Sequence, residues 1–484
     1  MQQLGVLCHI TSLPNKYGVG DFGKSAKDFV DYIHSKRLKI WQILPLQNTN
    51  ECNCPYGSMS SFTIDEMFVD LDSLLEEQLI TEQDVFSLKQ YGDNEKINYA
   101  FIKKEKLRLF ELAYKNLPAS QMLIVQDFAK SNPKYFEYGY YKVLLEHFGA
   151  KSWKETPKEF WKTTSKSAID FKTKKHQEIL KYVYFQYTLL SQWLKIKNYA
   201  NELGIQIYGD MPIYLDHSSL DVFLNPEIFK LERDLSLRIT GGVPPDEFCK
   251  HGQNWNTCIY NWKTIKAQNY RWMILKIKHL LNHYNKVRID HFPGLVEHYE
   301  IDNKNPKNNA WVKAGGMELF KEIEKSIDTK NLIIEYFSNT PNECTKVKNA
   351  YNLTQMNILQ FAFDTDEHNP HLPENVDQNT IYYLGTHDNN TFLGYLNNLD
   401  TKTKQRIKKY LKTPTNNNKE IMELCIKKML SSKADTIILQ IQDFLMQGEE
   451  HRINTPGQAF GCWEYRVPRN YKTLFSKNLH KFLN

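Results

Sequence analysis

The sequence predicts an α/β protein built on a (β/α)8 TIM barrel with an inserted helical subdomain. Eight short apolar runs recur along the 484 residues, and most are continuously apolar rather than alternating. Continuous runs are typical of parallel strands that are covered on both faces. Helical patterns lie between several of the runs, and eight strands with interposed helices indicate a barrel. A barrel that carries insertions accommodates the whole chain, residues 1–484, as one unit.

The first half of the chain supplies three predicted strands. GVLCHIT (5–11) is followed by SAKDFVDYIHS (25–35), whose apolar residues recur at helical spacing. The second and third runs are KIWQILPL (39–46) and IQIYGDMPI (205–213). Residues 52–200 are too long for a simple crossover between them. Their helical, aromatic-rich pattern predicts an inserted helical subdomain between strands two and three.

The second half supplies a long predicted helix at 265–284 and five further strands. The strand-like runs are KVRIDHF (286–292), NLIIEYF (331–337), MNILQFAF (356–363), IYYLGTHD (381–388) and TIILQIQDFL (436–445). Residues 214–264, which follow the third strand, are rich in Gly, Pro, Asn and Trp and predict a long loop region. Loops of that length inside a domain are usually functional, so we expect this one to border an active site.

The composition indicates a globular protein and excludes several functions. Hydrophobic residues make up 41% of the chain, and the net charge is only +6, which indicates neither nucleic-acid binding nor an anionic membrane surface. No run approaches the ~20 apolar residues of a membrane helix, and the N-terminus lacks a signal-peptide pattern. The eight cysteines are scattered, and the C-x-C of Cys52 and Cys54 has no matching pair at zinc-like spacing. This usage favours reduced thiols and a cytoplasmic location.

Polar side chains follow the apolar runs at their C-terminal ends. Because all these ends meet on one face of a barrel, where active sites are built, we expect the side chains to converge. Each alone is typical of an ion pair, a strand end or a helix cap, but their joint appearance favours catalysis. The residues are Asp210, Asp290, His291, Glu335, His387, Asp388 and Asp443.

Converging carboxylates suit the cleavage of a glycosidic bond. One carboxylate attacks or stabilises the anomeric carbon, and a protonated partner gives its proton to the leaving oxygen. Arg288 and Asp290 share a strand face, so the guanidinium is expected to keep Asp290 ionised and nucleophilic. Glu335 ends an apolar run, where partial burial is expected to raise its pKa and retain a proton. Asp388 is expected to stabilise charge in the transition state.

Metal and phosphate sites fit the sequence less well. His291, His387 and nearby Asp residues include possible metal ligands. No short loop, however, carries oxygen ligands at the regular spacing of a hard-ion site. No GxxxxGK[ST] is present, and no G-x-G-x-x-G follows a strand.

Long motifs occur in one order along nearly the whole chain. They are HITSLPNKYGVGDFG (9–23), WQILPLQNTN with CPYGSMSSF (41–62), GDMPIYLDHSSLDVFLNPEIF (209–229), GGVPPDEFCKHGQNWNTCIYNW (241–262), VRIDHF (287–292), MNILQFAFD (356–364), GTHDNNT (385–391) and RINTPG (452–457). Together they resemble the 4-α-glucanotransferase family (amylomaltase, or disproportionating enzyme), a branch of the α-amylase superfamily.

The resemblance implies a barrel that transfers α-1,4-glucan segments between malto-oligosaccharides with retention, using neither a metal nor an organic cofactor. By motif matching, Asp290 is the implied nucleophile, Glu335 the general acid/base and Asp388 the transition-state stabiliser. The implied lining of the glucan subsites is Tyr56, Asp210, Asp246, Gln253, Trp255, Arg288, His291 and His387.

Two departures from the family pattern accompany the resemblance. The family's Glu-Asp-Leu-Gly reads Glu335-Tyr336-Phe337-Ser338 here, and Pro293 replaces an Arg that commonly follows the nucleophile. We expect an altered electrostatic surrounding rather than lost chemistry. Two other functions fit the same residues: an α-glucan hydrolase of similar architecture, and a glycan-binding protein without activity.

Overall fold

A computed structural model describes residues 2–245, 251–336 and 342–483 of the chain. The strands within these residues are β1 Gln3–Leu7, β2 Ile40–Gln42, β3 Gln206–Met211, β4 Ile239–Val243, β5 Gln253–Cys258, β6 Lys286–Ile289, β7 Glu297–Asp302, β8 Ala310–Lys313, β9 Leu332–Ile334, β10 Gln355–Ile358, β11 Thr380–Tyr383 and β12 Thr436–Gln440. The helices are α1 Lys24–Ser35, α2 Leu71–Glu76, α3 Phe86–Lys89, α4 Tyr99–Lys115, α5 Ala119–Ser131, α6 Pro133–Phe148, α7 Lys166–Lys174, α8 His176–Glu202, α9 Leu220–Leu224, α10 Trp262–Ala267, α11 Arg271–His283, α12 Gly316–Glu324, α13 Asn342–Ala350, α14 Phe392–Asn398, α15 Thr401–Leu411, α16 Asn418–Leu430, α17 Ile441–Phe444 and α18 Tyr471–Leu483.

Eight parallel strands form the barrel, and each corresponds to one of the predicted apolar runs. Their order around the sheet is β10-β11-β12-β1-β2-β3-β6-β9. The two end strands meet through a parallel bridge between Ile333 and Thr354, where the Ile334 N–H donates to the Thr354 carbonyl at 2.8 Å. The predicted (β/α)8 fold is therefore confirmed.

The barrel interior explains why its strands read as continuous apolar runs. Every residue of β2, β11 and β12 is buried, since helices cover the outside and side chains fill the inside. Two of the polar exceptions inside pair with each other: the Tyr383 hydroxyl donates to Gln42 Oε1 at 2.7 Å. Among the helices in the described part of the chain, none combines the length and apolar character needed to cross a membrane.

The long segment between β2 and β3 is helical. It carries α2 to α8, and α6 and α8 pack against each other. Lys106 of α4 fixes this segment to the barrel, because its buried ammonium group lies 3.1 Å from Asp21 and donates to the carbonyls of Met67 and Val69. The division of residues 52–200 from the barrel as a separate subdomain stays a prediction.

The segment predicted as a long loop, residues 214–264, contains regular structure. Its strands β4 and β5 join β7 and β8 in a four-stranded antiparallel sheet of order β5-β4-β7-β8. These strands could not be recognised as apolar runs, because β4 has the sequence ITGGV and β5 has the sequence QNWNTC. Gly242 is needed in β4, since a Cβ there would collide with the carbonyl of Gln253.

Two sequence expectations near the barrel are wrong in detail. The predicted helix at 265–284 is broken into α10 and α11, because Asn269 and Tyr270 adopt left-handed conformations with φ of 50° and 56°. Asp443 does not follow a strand end directly: β12 stops at Gln440, and Asp443 lies in α17. There it is fully buried and accepts a hydrogen bond from the Phe392 N–H at 3.0 Å.

Candidate active site

A cavity of about 810 Å³ lies where several barrel strands end. Asp290 follows β6, Glu335 follows β9 and Asp388 follows β11, and all three line the cavity. The predicted convergence is therefore present for these three carboxylates, whereas Asp443, which was predicted to join them, does not line the cavity. Further predicted residues on the cavity wall are Tyr56, Gln253, Trp255 and His291.

One buried guanidinium connects the carboxylates of the cavity. Arg288 lies opposite Asp210 in the β3–β6 pairing, and its Nη1 lies 2.6 Å from Asp210 Oδ2. The same Nη1 is 3.2 Å from Asp290 Oδ1, and Nη2 is 2.7 Å from Glu335 Oε1. Arg288 is only 1% exposed. The predicted Arg288–Asp290 pair thus exists, but it is one of three ion pairs that share a single cation.

The sharing of one cation changes the expected ionisation of Asp290. Burial and the negative charge of Glu335 raise the pKa of Asp290 well above its ordinary value, although Arg288 acts in the opposite direction. Burial also raises the pKa of Asp210. Burial opposes the charge of Arg288 too, but Asp210 and Glu335 outweigh it and hold the Arg288 pKa well above its usual range. One cation does not neutralise three carboxylates, so the cluster favours retention of a proton.

Glu335 does not lie in the apolar surroundings that its sequence context suggests. Besides its ion pair with Arg288, its Oε2 accepts a hydrogen bond from the His291 backbone N–H at 2.6 Å. His291 has a left-handed conformation with φ of 43°, a strained state for a residue other than glycine, and strain of this kind is common at active sites. Burial lowers the pKa of the His291 imidazole to about 4, so it is neutral at pH 7.

Asp388 is held as an anion by its neighbours. The Asn454 side-chain amide donates to Asp388 Oδ1 at 2.7 Å, and His387 Nε2 lies 3.2 Å from Oδ2. Arg452 donates to the Asp388 carbonyl at 2.7 Å. Burial alone would raise the Asp388 pKa, but the His387 and Asn454 contacts outweigh it and hold the pKa well below its usual value. Asp388 therefore differs from Asp290 in its preferred ionisation.

Three predicted subsite residues lie beneath the cavity wall rather than on it. Asp210, Arg288 and His387 are each no more than 1% exposed. Tyr56 lies between these three residues and the cavity. Its ring stacks on that of His387, with centroids 5.1 Å apart and planes 6° apart. Its hydroxyl donates to Asp210 Oδ2 at 2.8 Å. These contacts fix the orientation of the groups that support the carboxylates.

The remaining predicted site residues divide between the second sheet and the undescribed part of the chain. Gln253 and Trp255 lie on β5, where the Trp255 indole N–H donates to Gln253 Oε1 at 3.1 Å. The ring of Trp255 also contacts that of His291 edge to face at 5.0 Å. Asp246, predicted as a substrate-binding residue, lies outside the described residues.

The departures from the family pattern occupy distinct places. Pro293 is buried in a 3-10 turn, Phe292–Leu295, and lines the cavity. Tyr336 is turned toward α13, where its hydroxyl forms a hydrogen bond with Thr345 Oγ1 at 2.6 Å. That hydroxyl therefore does not bond Glu335. Phe337 and Ser338 lie outside the described residues.

The structure adds cavity residues that the sequence did not single out. Asn454, which lines the cavity, and Arg452, which contacts Asp388 from outside the cavity lining, belong to the RINTPG motif, which carried the resemblance but received no role. Neither residue follows a barrel strand, so the strand-end pattern missed both. Further wall residues are Asn50, Cys52, Cys54, Tyr214, Trp311 and Trp463. Within the described ranges, no group of three or more His, Cys, Asp or Glu residues is arranged to hold a metal ion.

Comparison with known proteins identifies relatives that match this chain over nearly its whole length. A family model described as 4-alpha-glucanotransferase matches residues 8–472. A 4-alpha-glucanotransferase of Aquifex aeolicus (strain VF5) is 35% identical over 486 residues, which cover 99% of this chain and 98% of that protein. One from Clostridium butyricum is 35% identical over 471 residues, covering 96% of each. The amylomaltase of Streptococcus agalactiae in complex with acarbose superposes with a TM-score of 0.92 at 30% identity, over 100% of both chains.

Proposed function

Because this chain belongs to the 4-alpha-glucanotransferase family, we propose that Asp290, Glu335 and Asp388 carry out a retaining transfer of α-1,4-glucan segments. One observation carries the assignment of roles: Asp290 and Glu335 bind the two terminal nitrogens of one buried guanidinium. Both carboxyl groups are thereby held close together at the cavity wall. Retaining enzymes need such closeness, with carboxyl groups about 5–5.5 Å apart.

The first step forms a covalent glycosyl-enzyme. Asp290 attacks the anomeric carbon of the donor while Glu335 gives its proton to the glycosidic oxygen. The bond between the anomeric carbon and that oxygen breaks, and the reducing-end fragment leaves as an alcohol. Asp388, held ionised, stabilises the positive charge that develops on the sugar. This step needs Asp290 in its ionised form and a proton on Glu335 when the donor binds.

The second step transfers the segment to an acceptor. A sugar hydroxyl gives its proton to Glu335 as its oxygen attacks the anomeric carbon, and the bond to Asp290 breaks. An acceptor sugar bound in the cavity has an effective concentration that water does not match. Transfer therefore prevails over hydrolysis when the acceptor side is occupied.

The cavity wall supplies the contacts for the glucan. We assign Tyr56, Gln253, Trp255 and His291 to direct contact, since they line the cavity. Asp210, Arg288 and His387 act from beneath by holding Tyr56 and the carboxylates in place. The acarbose complex of the Streptococcus agalactiae relative supports a malto-oligosaccharide as ligand. Asp246 stays a proposed contact from the family motif alone.

Incubation with maltotriose tests the proposed function. Transfer predicts glucose together with products longer than maltotriose, at a nearly constant number of reducing ends. A hydrolase would instead increase the reducing ends steadily and make no longer product. A binding protein would leave maltotriose unchanged, so the three functions give three distinct results.

We also propose a cytoplasmic location. The cysteines of the described residues are free, and Cys8, Cys258, Cys344, Cys425 and Cys462 are buried. Unpaired buried thiols are usual in a reducing compartment. Fractionation of cells that express the native chain, followed by detection of the protein, tests this location.

A further inference from the structure

Lys276 is a buried lysine that the proposed reaction does not use. It lies on α11, which packs against β3 and β6, and it is only 1% exposed. A buried ammonium group is costly unless it is hydrogen-bonded or paired, so its partners indicate what it does. Its Nζ donates to the Pro212 carbonyl at 2.7 Å and lies 3.5 Å from the Tyr260 hydroxyl. The contact with Pro212 leads directly to the active site.

Pro212 belongs to a short segment that connects Lys276 to the nucleophile. Three successive carbonyls of residues 211–213, which we call the carbonyl segment, each accept a hydrogen bond. The donors to the first, second and third carbonyls are, in order, the Asp290 N–H at 3.2 Å, the Lys276 ammonium group at 2.7 Å and the Tyr260 hydroxyl. Lys276 and Tyr260 therefore hold the backbone to which the Asp290 backbone is bonded.

The ammonium group also places a positive charge near Asp290. Burial lowers the pKa of Lys276 to about 8, although the negative charges of Asp221 and Asp290 act in the opposite direction. Lys276 is therefore mainly charged at pH 7. Attraction between two charges is mutual, so the charge of Lys276 favours the ionised form of Asp290. Because Arg288 alone does not neutralise three carboxylates, a second buried cation bears on the same imbalance.

The other groups that face Lys276 do not remove its charge. Asp221 of α9 is 2% exposed and accepts a hydrogen bond from the Ser61 N–H at 2.7 Å. Burial raises the pKa of Asp221 to about 6, so it is mainly ionised at pH 7 and stabilises the ammonium group. Burial holds the pKa of Tyr260 well above its usual value, so its hydroxyl is neutral. The ring of Trp272, also on α11, lies 5.4 Å from Nζ.

We propose that Lys276 is a positioning residue for the nucleophile: it holds the carbonyl segment, which fixes the Asp290 backbone, and its charge favours the ionised side chain of Asp290. Lys276 does not line the cavity, so it acts through Asp290 rather than on the glucan. The inference rests on the proposed function, because it takes Asp290 as the nucleophile. Loss of Lys276 therefore affects both the placement and the ionisation of that residue.

The pH dependence of kcat/KM for transfer from maltotriose tests the effect of the charge. Its acidic limb reports the loss of a proton from the carboxylate cluster of the free enzyme, since the first step needs ionised Asp290. We expect Lys276→Met to move this limb to higher pH by about half a unit or more and to lower kcat/KM at pH 7 about ten-fold or more.

Lys276→Gln keeps N–H donors but carries no charge. We expect it to show the same shift of the acidic limb with a smaller loss of kcat/KM. It also serves as the neutral variant if Lys276→Met does not fold, which near-UV circular dichroism shows. An acidic limb that stays at the wild-type pH in a folded neutral variant would overturn the proposal.

Lys106→Met is the matched control for the loss of a buried lysine. Lys106 is also fully buried, donates to two backbone carbonyls and pairs with a carboxylate, but that carboxylate is Asp21 rather than a residue of the cavity wall. We expect this variant to lose stability in urea without a shift of the acidic limb. A shift as large as that of Lys276→Met would mean that the limb responds to destabilisation in general, and the proposal would fail.

Amide hydrogen exchange tests the carbonyl segment without any assay of transfer. We expect the Asp290 amide to exchange about ten-fold faster or more in Lys276→Met than in Lys106→Met, because its acceptor is no longer held. Tyr260→Phe removes the donor to the third carbonyl and no charge, so it is expected to speed this exchange and leave the acidic limb in place. Equal exchange in the two lysine variants, or a shifted limb in Tyr260→Phe, would contradict the proposal.

The two experiments also separate this proposal from the proposed function. If the wild type fails to transfer glucan from maltotriose, the proposed function fails. The exchange of the Asp290 amide still decides whether Lys276 holds that residue in place.

Discussion

Asp210 and Arg288 face each other across neighbouring barrel strands, 2.6 Å apart and almost completely buried. Because the same guanidinium also binds Asp290 and Glu335, this pair connects the core of the barrel to the site of reaction. A buried ion pair gives little net stability, but removal of one partner leaves charge without compensation. Removal of either partner is therefore expected to lower both the stability of the fold and the activity of the site.

Replacement of Arg288 tests this dependence. We expect Arg288→Met to lower the free energy of unfolding by about 3–5 kcal/mol at pH 7, because the buried Asp210 loses its cation. Urea denaturation measures the change. Arg238→Met is the matched control: Arg238 is 36% exposed, and its partner Asp302 keeps hydrogen bonds from the Lys304 N–H and the Asn308 side chain, so its loss is expected to cost less. An equal loss in both variants would contradict the special position of Arg288.

Arg288→Lys separates charge from geometry. Lysine keeps the positive charge but has no planar fork that reaches three carboxylates. We expect transfer from maltotriose to fall at least about a hundred-fold, since misplacement of catalytic groups by even 1 Å has this effect. Steady-state kinetics at the pH optimum measure it. Near-native transfer would show that charge alone is enough at this position.

The roles of Asp290 and Glu335 are separated by a donor that needs no protonation. We expect Glu335→Gln to lower transfer from maltotriose by about 10²–10⁴-fold, because the general acid is lost. With maltosyl fluoride, whose leaving group departs without a proton, the same variant is expected to accumulate the glycosyl-enzyme, visible by intact mass. Asp290→Asn is expected to form no adduct from either donor. An adduct in Asp290→Asn would assign the nucleophile elsewhere.

Asn454 is expected to act on the reaction through Asp388. Its side chain donates to Asp388 Oδ1 at 2.7 Å, and a hydrogen bond to a charged group contributes about 1.5–3 kcal/mol. Asn454→Ala is therefore expected to lower kcat by about ten- to hundred-fold. Gln458→Ala is the matched control, because Gln458 also lines the cavity but donates to the Phe460 carbonyl. Equal effects of the two changes would contradict the assigned contact.

Burial of Asp443 is expected to make the protein less stable as the pH rises. Burial raises its pKa to about 7, against about 3.9 in the unfolded chain, and its Oδ2 has no hydrogen-bond partner. Between these values only the folded state holds the proton, so the contribution of Asp443 to stability is largest below about pH 4 and falls by about 1.4 kcal/mol per pH unit up to about pH 7. We expect Asp443→Asn to exceed the wild type in stability at pH 8 by up to roughly 4 kcal/mol.

Urea denaturation at pH 5 and pH 8 measures this effect. The advantage of Asp443→Asn is expected to be clearly smaller at pH 5, where the folded wild type keeps its proton. A pH-independent difference between the two proteins would mean that the carboxyl group does not titrate in the folded state.

The barrel could be predicted from the sequence because each of its strands is covered on both faces. Continuous apolar runs such as TIILQ and TIYY leave a clear pattern, and the acidic residues that follow β6, β9 and β11 then lie on one face. The second sheet could not be predicted in this way. Its strands are held by hydrogen bonds to one another and carry glycine and polar residues, so they have no apolar signature.

The ionisation of the site could not be predicted from local sequence either. Arg288 and Asp290 read as an isolated pair, and only the β3–β6 register brings Asp210 to the same guanidinium. Glu335 likewise reaches this cation through the neighbouring strand β9. The pKa of Asp290 depends on all of these groups at once. Glu335 and Asp210 each lie 45 or more positions from Asp290 in the sequence, so local sequence does not reveal their effect.

The closure of the barrel has a consequence for how the enzyme responds to heat. Strands β1 and β12 pair over five residues, whereas β9 meets β10 through the Ile333–Thr354 bridge. Amide hydrogen exchange is expected to be faster for Ile334 than for the central residues of β12, since fewer bonds must open. Glu335 follows β9 directly. We therefore expect thermal opening at this bridge to displace Glu335 before Asp290, because β6 pairs with β3 on one side and β9 on the other, and we expect transfer activity to fall below the temperature of global unfolding.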